Sequence, residues 1–161
     1  LLVETIVEWA DGKDARWLEL HAGAGMFTLH LAEKAQSLTS IEAHEEAVAD
    51  ARFNLTAANI KNVQLLSGRA ETLLPRFSAG AFTHLLLDPP RGGATKKEVE
   101  EIVRLSPRQI LYLSCHPPTL VRDVRLLHKE GYRIRRVQPF DLFPQTGHLE
   151  MLVELTPSTV L

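Results

Sequence analysis

Short apolar runs recur along this chain, each followed by a stretch with apolar residues at helical spacing. That alternation restricts the fold more than any other property. The runs Arg16–Leu20, Leu38–Glu42, Asn62–Leu66, Phe82–Leu87 and Gln109–Leu113 read as strands. Between and after them, helices are expected from about Met26 to Ala35, Glu45 to Ala58, Glu71 to Phe77, Lys96 to Leu105 and Thr119 to Lys129. An amphipathic helix carrying Leu2, Val3, Ile6, Val7 and Ala10 precedes them and is broken at 11–14. Strands that alternate with helices pair in parallel and are covered on both faces. Two last strands, about Tyr132–Phe140 and His148–Leu155, have no helix between them, so one antiparallel strand is expected at the edge. The expectation is a Rossmann-like, doubly wound α/β sheet of about seven strands, with 1–161 as one domain.

Composition agrees with one domain. The 161 residues are 45% hydrophobic and 24% charged. No apolar run approaches the roughly 20 residues needed to cross a membrane, and no signal-type segment opens the chain. The single cysteine, Cys115, excludes an internal disulfide and a multi-cysteine metal site within the chain; a reducing, cytoplasmic setting is expected. A net charge of −2 argues against a general polyanion binder. Arg122, Arg125, Lys129, Arg133, Arg135 and Arg136 nevertheless cluster against Asp123 and Glu130. They read either as a solvated face or as a phosphate-contacting patch. The chain opens at Leu1 inside a helical pattern, so a fragment of a longer protein is expected.

In doubly wound sheets, ligands bind beyond the carboxyl ends of the strands. The first strand ends in Glu19-Leu-His-Ala-Gly23-Ala-Gly25-Met-Phe27, where two glycines allow a tight turn and close approach of a ligand. Thr28 stands in the place of a third glycine, so the dinucleotide fingerprint is incomplete. Glu42 ends the second strand 19 residues after Gly23, where a carboxylate can accept both ribose hydroxyls. This pairing serves NAD or S-adenosylmethionine. Seven strands with an antiparallel edge, and the acidic Glu19 before the glycine loop, favour S-adenosylmethionine.

The later strand ends carry groups suited to chemistry. Asp88-Pro-Pro-Arg91-Gly-Gly holds a carboxylate at the sheet edge, because prolines keep the following backbone extended. A structural turn is the alternative. Cys115, in Ser114-Cys-His116-Pro-Pro-Thr119, lies past the fifth strand and near a helix N-terminus, a setting that favours the thiolate. Buried filler is the alternative for a lone cysteine. Glu150 interrupts an apolar strand and reads either as a functional carboxylate or as an edge residue facing water.

Taken in order, Gly23-x-Gly25, Asp88-Pro-Pro-Arg91, Ser114-Cys-x-Pro-x-Thr119-Leu-x-Arg-Asp123 and Asp141-x-Phe-Pro-Gln-Thr-x-His148-x-Glu150 resemble the RNA uracil-5-methyltransferases. The similarity covers essentially the whole chain and matches that family's C-terminal catalytic domain. Phe-Pro-Gln-Thr-Gly-His-Leu-Glu is closer to the members acting on 23S ribosomal RNA than to the tRNA enzymes. The resemblance implies the class I S-adenosylmethionine-dependent fold, an RNA substrate, and an upstream RNA-binding region outside these residues. It makes Cys115 the nucleophile, Glu150 the base and Asp88 a contact to the uracil ring. Gly23, Gly25, Phe27, Glu42 and Asp88 become the cofactor set, Arg91, His116 and Thr119 the substrate contacts, and no metal is called for. Two positions depart from the family: His116 replaces the usual Asn, and His21-Ala22-Gly23 replaces Phe-Cys-Gly. An amino-methyltransferase using Asp88-Pro-Pro, and a non-catalytic RNA-binding module, are the competing readings.

Overall fold

In the computed structural model of the chain, described for all residues except 11, 13, 143, 147, 148 and 159–161, seven strands form one sheet. The strands are β1 (Arg16–Leu20), β2 (Ser37–Glu42), β3 (Val63–Ser67), β4 (His84–Leu87), β5 (Gln109–Ser114), β6 (Tyr132–Phe140) and β7 (Glu150–Pro157). The helices are α1 (Leu2–Trp9), α2 (Met26–Ala32), α3 (Glu45–Ala57), α4 (Ala70–Leu73), α5 (Lys96–Leu105) and α6 (Pro117–Lys129), with a 3-10 turn, Leu74–Arg76, after α4. The sheet order is β3-β2-β1-β4-β5-β7-β6. Strand order reverses between β1 and β4, which opens the crevice where such sheets bind ligands.

The edge pairing is antiparallel, as expected, with one refinement. The strand running against the others, β7, sits one place inside the edge, antiparallel to both β5 and β6. Its first residue therefore lies at the same end of the sheet as the last residues of the parallel strands.

Alternation along each strand divides the core into two layers. Leu18, Leu20, Leu85, Leu87, Ile110, Tyr112, Val153 and Leu155 point to one face, with α4, α5 and α6 packed there. Trp17, Leu86, Leu111, Leu113 and Leu152 point to the other, against Ile6 and Trp9 of α1 and Phe27 and Leu31 of α2. Both layers are dry enough to make polar exceptions informative. Glu19, Asp123 and Glu154 are 1%, 0% and 0% exposed.

Boundaries moved where local chemistry decided them. α6 begins at Pro117 instead of near Thr119, because prolines without N–H groups suit the first helical turn. α5 opens on a capping box, in which Thr95 Oγ1 accepts from Glu98 N and Glu98 Oε2 accepts from Thr95 N. No helix among the described residues is long and apolar enough to cross a membrane.

Candidate active site

The carboxyl end of the sheet collects most of the expected residues. β1 runs into a loop with Gly23 at φ +55° and Gly25 at φ +86°, left-handed values that side chains rarely adopt. Gly25 is the N-cap of α2, and a Cβ there would stand 3.2 Å from Ala51 Cβ on α3. Close helix packing and the turn both require glycine at this position.

Glu42, at the end of β2, is locked by this loop. Its Oε2 accepts from Gly23 N at 2.9 Å and its Oε1 from His44 N at 2.8 Å. Burial works to raise its pKa, but the backbone donors outweigh burial and hold the carboxyl below its usual range. Glu42 is thus a fixed, ionised acceptor, and its neighbours Ile41 and Ala43 line a cavity of about 370 Å³. His21, Gly68, Pro90 and Glu98 line the same cavity. Phe27 does not. Its side chain is 4% exposed and packs in the core, so any contact from this position comes from its backbone.

Glu19 lies beneath the loop. Oε2 accepts from Thr28 Oγ1 at 2.6 Å and Ser40 Oγ at 2.7 Å, while Oε1 has no hydrogen-bond partner among the described residues. Burial pushes its pKa up to about 7, and the charge of Asp88 adds to the shift. His21, at φ +62°, places Nε2 3.0 Å from Oε1 of the buried Glu98. Residues 77 positions apart carry no spacing that links them in sequence. The Thr95-x-x-Glu98 capping signature was the only sequence signal for half of this pair.

On the other side of the switch point stand Asp88, Cys115 and Glu150. Asp88 follows β4 directly and is half-buried; burial first, and the Glu150 charge second, push its pKa up to about 6, with His21 opposing. Cys115 follows the last residue of β5 and is partly exposed. The antiparallel register pairs Ser114 with Met151, so one step further brings Cys115 level with Glu150, the first residue of β7. Glu150 is itself half-buried, and burial raises its pKa. A thiol and two carboxyls with raised pKa values therefore share one sheet edge.

The substrate-contact candidates divide. His116 is the N-cap of α6, and its Nδ1 lies 3.2 Å from Thr119 Oγ1. Thr119 Oγ1 is also within donor distance of His116 O (2.9 Å) and Arg91 O (3.2 Å). The Arg91 side chain is exposed on the loop after Asp88. Of the basic cluster, Arg122 is bonded to Asp123, and Arg135 and Arg136 to Glu154, so these cations hold internal partners. The remaining motif residues Phe143, Gly147 and His148 lie outside the described residues.

A seven-stranded sheet in this order, with a glycine loop, an ionised acidic strand end and chemistry-bearing loops at one edge, is the class I methyltransferase fold. Residues 1–157 match the family described as tRNA (uracil-5-)-methyltransferase, and the chain belongs to that family. It is 35% identical over 97% of its length to an uncharacterized RNA methyltransferase of Oceanobacillus iheyensis, and covers 35% of that protein. With an uncharacterized RNA methyltransferase of Synechocystis it shares 43% identity over 86% of the chain and 30% of the relative. The crystal structure of the Pyrococcus abyssi tRNA (uracil-54, C5)-methyltransferase in complex with S-adenosyl-L-homocysteine superposes with a TM-score of 0.84 at 30% identity. That match covers 96% of this chain and 37% of the other. The chain thus spans about a third of the length of these three proteins.

Proposed function

We propose that this domain catalyses methylation of C5 of a uridine in RNA, with S-adenosylmethionine as methyl donor. The observation that supports the reading is the β5–β7 register, Ser114 opposite Met151, which brings the only cysteine and Glu150, whose pKa burial raises, to the same end of the sheet. Uracil C5 is too weak a nucleophile to take a methyl group unaided. A Cys115 thiolate that adds to C6 makes C5 electron-rich, by forming one C–S bond and displacing the C5=C6 π electrons toward C5 and O4. When bound, S-adenosylmethionine supplies an electrophilic methyl group. After C5 has gained the methyl, Glu150 accepts the C5 proton, the C5=C6 bond reforms and the C–S bond breaks, releasing the thiolate. A carboxyl held in a poorly solvated site is a stronger base than one in water, which suits Glu150 to this step.

Asp88, whose pKa burial and then Glu150 push up to about 6, would hydrogen-bond the uracil edge. For the cofactor, the Gly23–Gly25 turn allows close backbone approach, and the ionised Glu42 suits a ribose diol. Thr119, His116 and Arg91 form the rim on which flanking nucleotides would rest. A base inside a helix cannot reach Cys115, so the target nucleotide is single-stranded or flipped out.

For the RNA, we favour 23S ribosomal RNA, on the Phe-Pro-Gln-Thr-Gly-His-Leu-Glu stretch ending at Glu150. The second reading, tRNA, is favoured by the solved Pyrococcus abyssi enzyme's substrate. The test uses the full-length protein with 5-fluorouridine RNA, in which the C5 proton is replaced by fluorine and release is blocked. A covalent adduct that Cys115→Ala abolishes is expected, and its absence in the unmodified protein rejects the reading. Mass spectrometry of ribosomal and transfer RNA from a strain lacking the gene separates the two substrates by which 5-methyluridine disappears. A cytoplasmic location accords with either RNA.

A further inference from the structure

The end of the cysteine motif, Arg122-Asp123, has no part in the chemistry above, yet it contains a wholly buried carboxylate. Asp123 lies on the apolar face of α6 between Leu120 and Leu127 and is 0% exposed. A charge in that position needs partners, and it has them on the opposite loop. Its Oδ2 accepts from Ala94 N at 2.8 Å and from Tyr112 Oη at 2.6 Å. Its Oδ1 accepts from Arg122 Nε at 2.7 Å. Arg122 then reaches across, and its Nη2 donates to Gly92 O and Ala94 O, both at 3.0 Å.

These bonds join two segments that are separate in sequence. One is the 88–95 loop that begins at Asp88; the other is α6, whose first turn follows Cys115. The approach is close enough to exclude a side chain. Gly93 has φ +74°, and a Cβ there would stand 2.5 Å from Asp123 Oδ2 and 2.7 Å from Arg122 Nη2. Of the two, Asp123 is wholly buried and has little room to yield, so this approach holds the loop close against the helix.

We infer that Arg122 and Asp123 are positioning residues that set Asp88 against Cys115, by clamping the loop after β4 to the helix after β5. The inference rests on the proposed role of Cys115. Uracil must meet the thiolate at C6 and Asp88 at its polar edge together, and displacement of about 1 Å between the two groups is enough to lose a large factor in rate. Arg122 is therefore a strut between loop and helix, and two of its five N–H donors go to backbone carbonyls of the loop instead of to RNA phosphate.

The test measures the rate of adduct formation with 5-fluorouridine RNA, at saturating RNA and cofactor, in full-length protein. Asp123→Ala, Asp123→Asn, Arg122→Lys and Gly93→Ala are compared with Arg104→Ala. Arg104 bonds Leu74 O and Phe77 O, remote from both loops, and controls for simple loss of stability. Rates are taken well below each melting temperature. At least a tenfold fall is expected for Arg122→Lys and Gly93→Ala, a larger one for Asp123→Ala, and an intermediate one for Asp123→Asn, which keeps an acceptor. Arg104→Ala is expected to melt earlier and react at the unmodified rate. Where Asp123→Ala does not fold, Gly93→Ala and Arg122→Lys decide. Adduct formation at the unmodified rate in these folded variants overturns the clamp alone. No adduct in the unmodified protein overturns the Cys115 reading, and the clamp with it.

Discussion

At Glu19, a carboxyl group that is 1% exposed receives two hydroxyl donors on one oxygen and none from described residues on the other. Desolvation dominates, and the pKa rises from 4.5 to about 7. The sign follows from linkage. A carboxyl whose folded pKa exceeds its unfolded value contributes stability that is complete below about pH 4.5 and is lost as the pH rises through about 7. At about 1.4 kcal/mol per pH unit the whole loss is about 3.5 kcal/mol, of which about 2.5 kcal/mol falls between pH 5 and pH 8.5. Glu19→Gln keeps an acceptor for Thr28 and Ser40 without the charge. Urea unfolding should show the unmodified chain losing that much more stability than Glu19→Gln between pH 5 and pH 8.5. Equal losses would show that Glu19 is solvated in the folded chain.

The element that decides the site is β7, and Glu154 secures it. This carboxylate is 0% exposed in a strand of otherwise apolar inward residues. It accepts from Gln109 Nε2 on β5 at 2.6 Å, and from Arg135 Nη1 and Arg136 Nε on β6 at 3.1 and 2.5 Å. Gln109 also donates to Trp9 O, and Arg136 stacks over the Trp9 ring at 4.5 Å, which ties α1 into the same cluster. The central strand thus carries the acceptor that both neighbours answer, and a β7 displaced from between them would leave it bare. Removing one partner of a buried ion cluster costs about 3 kcal/mol. Glu154→Ala should lose about that much in chemical denaturation, and Glu154→Gln about half. Because β7 also carries Glu150, Glu154→Ala should slow release of methylated product from ordinary uridine RNA as well.

Across the whole molecule, the folded chain offers a preformed cavity, and any ligand that binds only the folded state raises the melting temperature. S-adenosylmethionine at about 100 times its Kd should add about 2.7 kcal/mol. For a domain of this size that corresponds to a rise of roughly 5–10 °C. Thermal melts with and without cofactor check this. Glu42→Ala should remove most of the shift, because it deletes the ionised acceptor and leaves the Gly23 and His44 N–H groups unbound. An unchanged melting temperature in the unmodified protein would favour a non-catalytic RNA-binding module.

Much of this architecture can be read from residue order, because strand and helix periodicities are local. Alternating apolar runs dictate a parallel sheet, glycines at 23 and 25 mark the turn that opens it, and proline-bounded Asp88 and Cys115 stand out at strand ends. Four ordered motifs name the family without coordinates. What periodicity does not contain is contact across the sheet. Placing β7 between β5 and β6, which brings Glu150 to the same sheet end as Cys115, depends on pairing between strands about 40 residues apart. The pairing of Asp123 with Ala94, the pairing of His21 with Glu98, and the loss of Phe27 to the core are likewise set by packing. Arg122, Arg135 and Arg136 resemble a phosphate patch in one dimension because a charge shows its sign there but not its partner. Only in the folded chain do buried Asp123 and Glu154 claim them, since a carboxylate removed from water must be answered by donors close at hand.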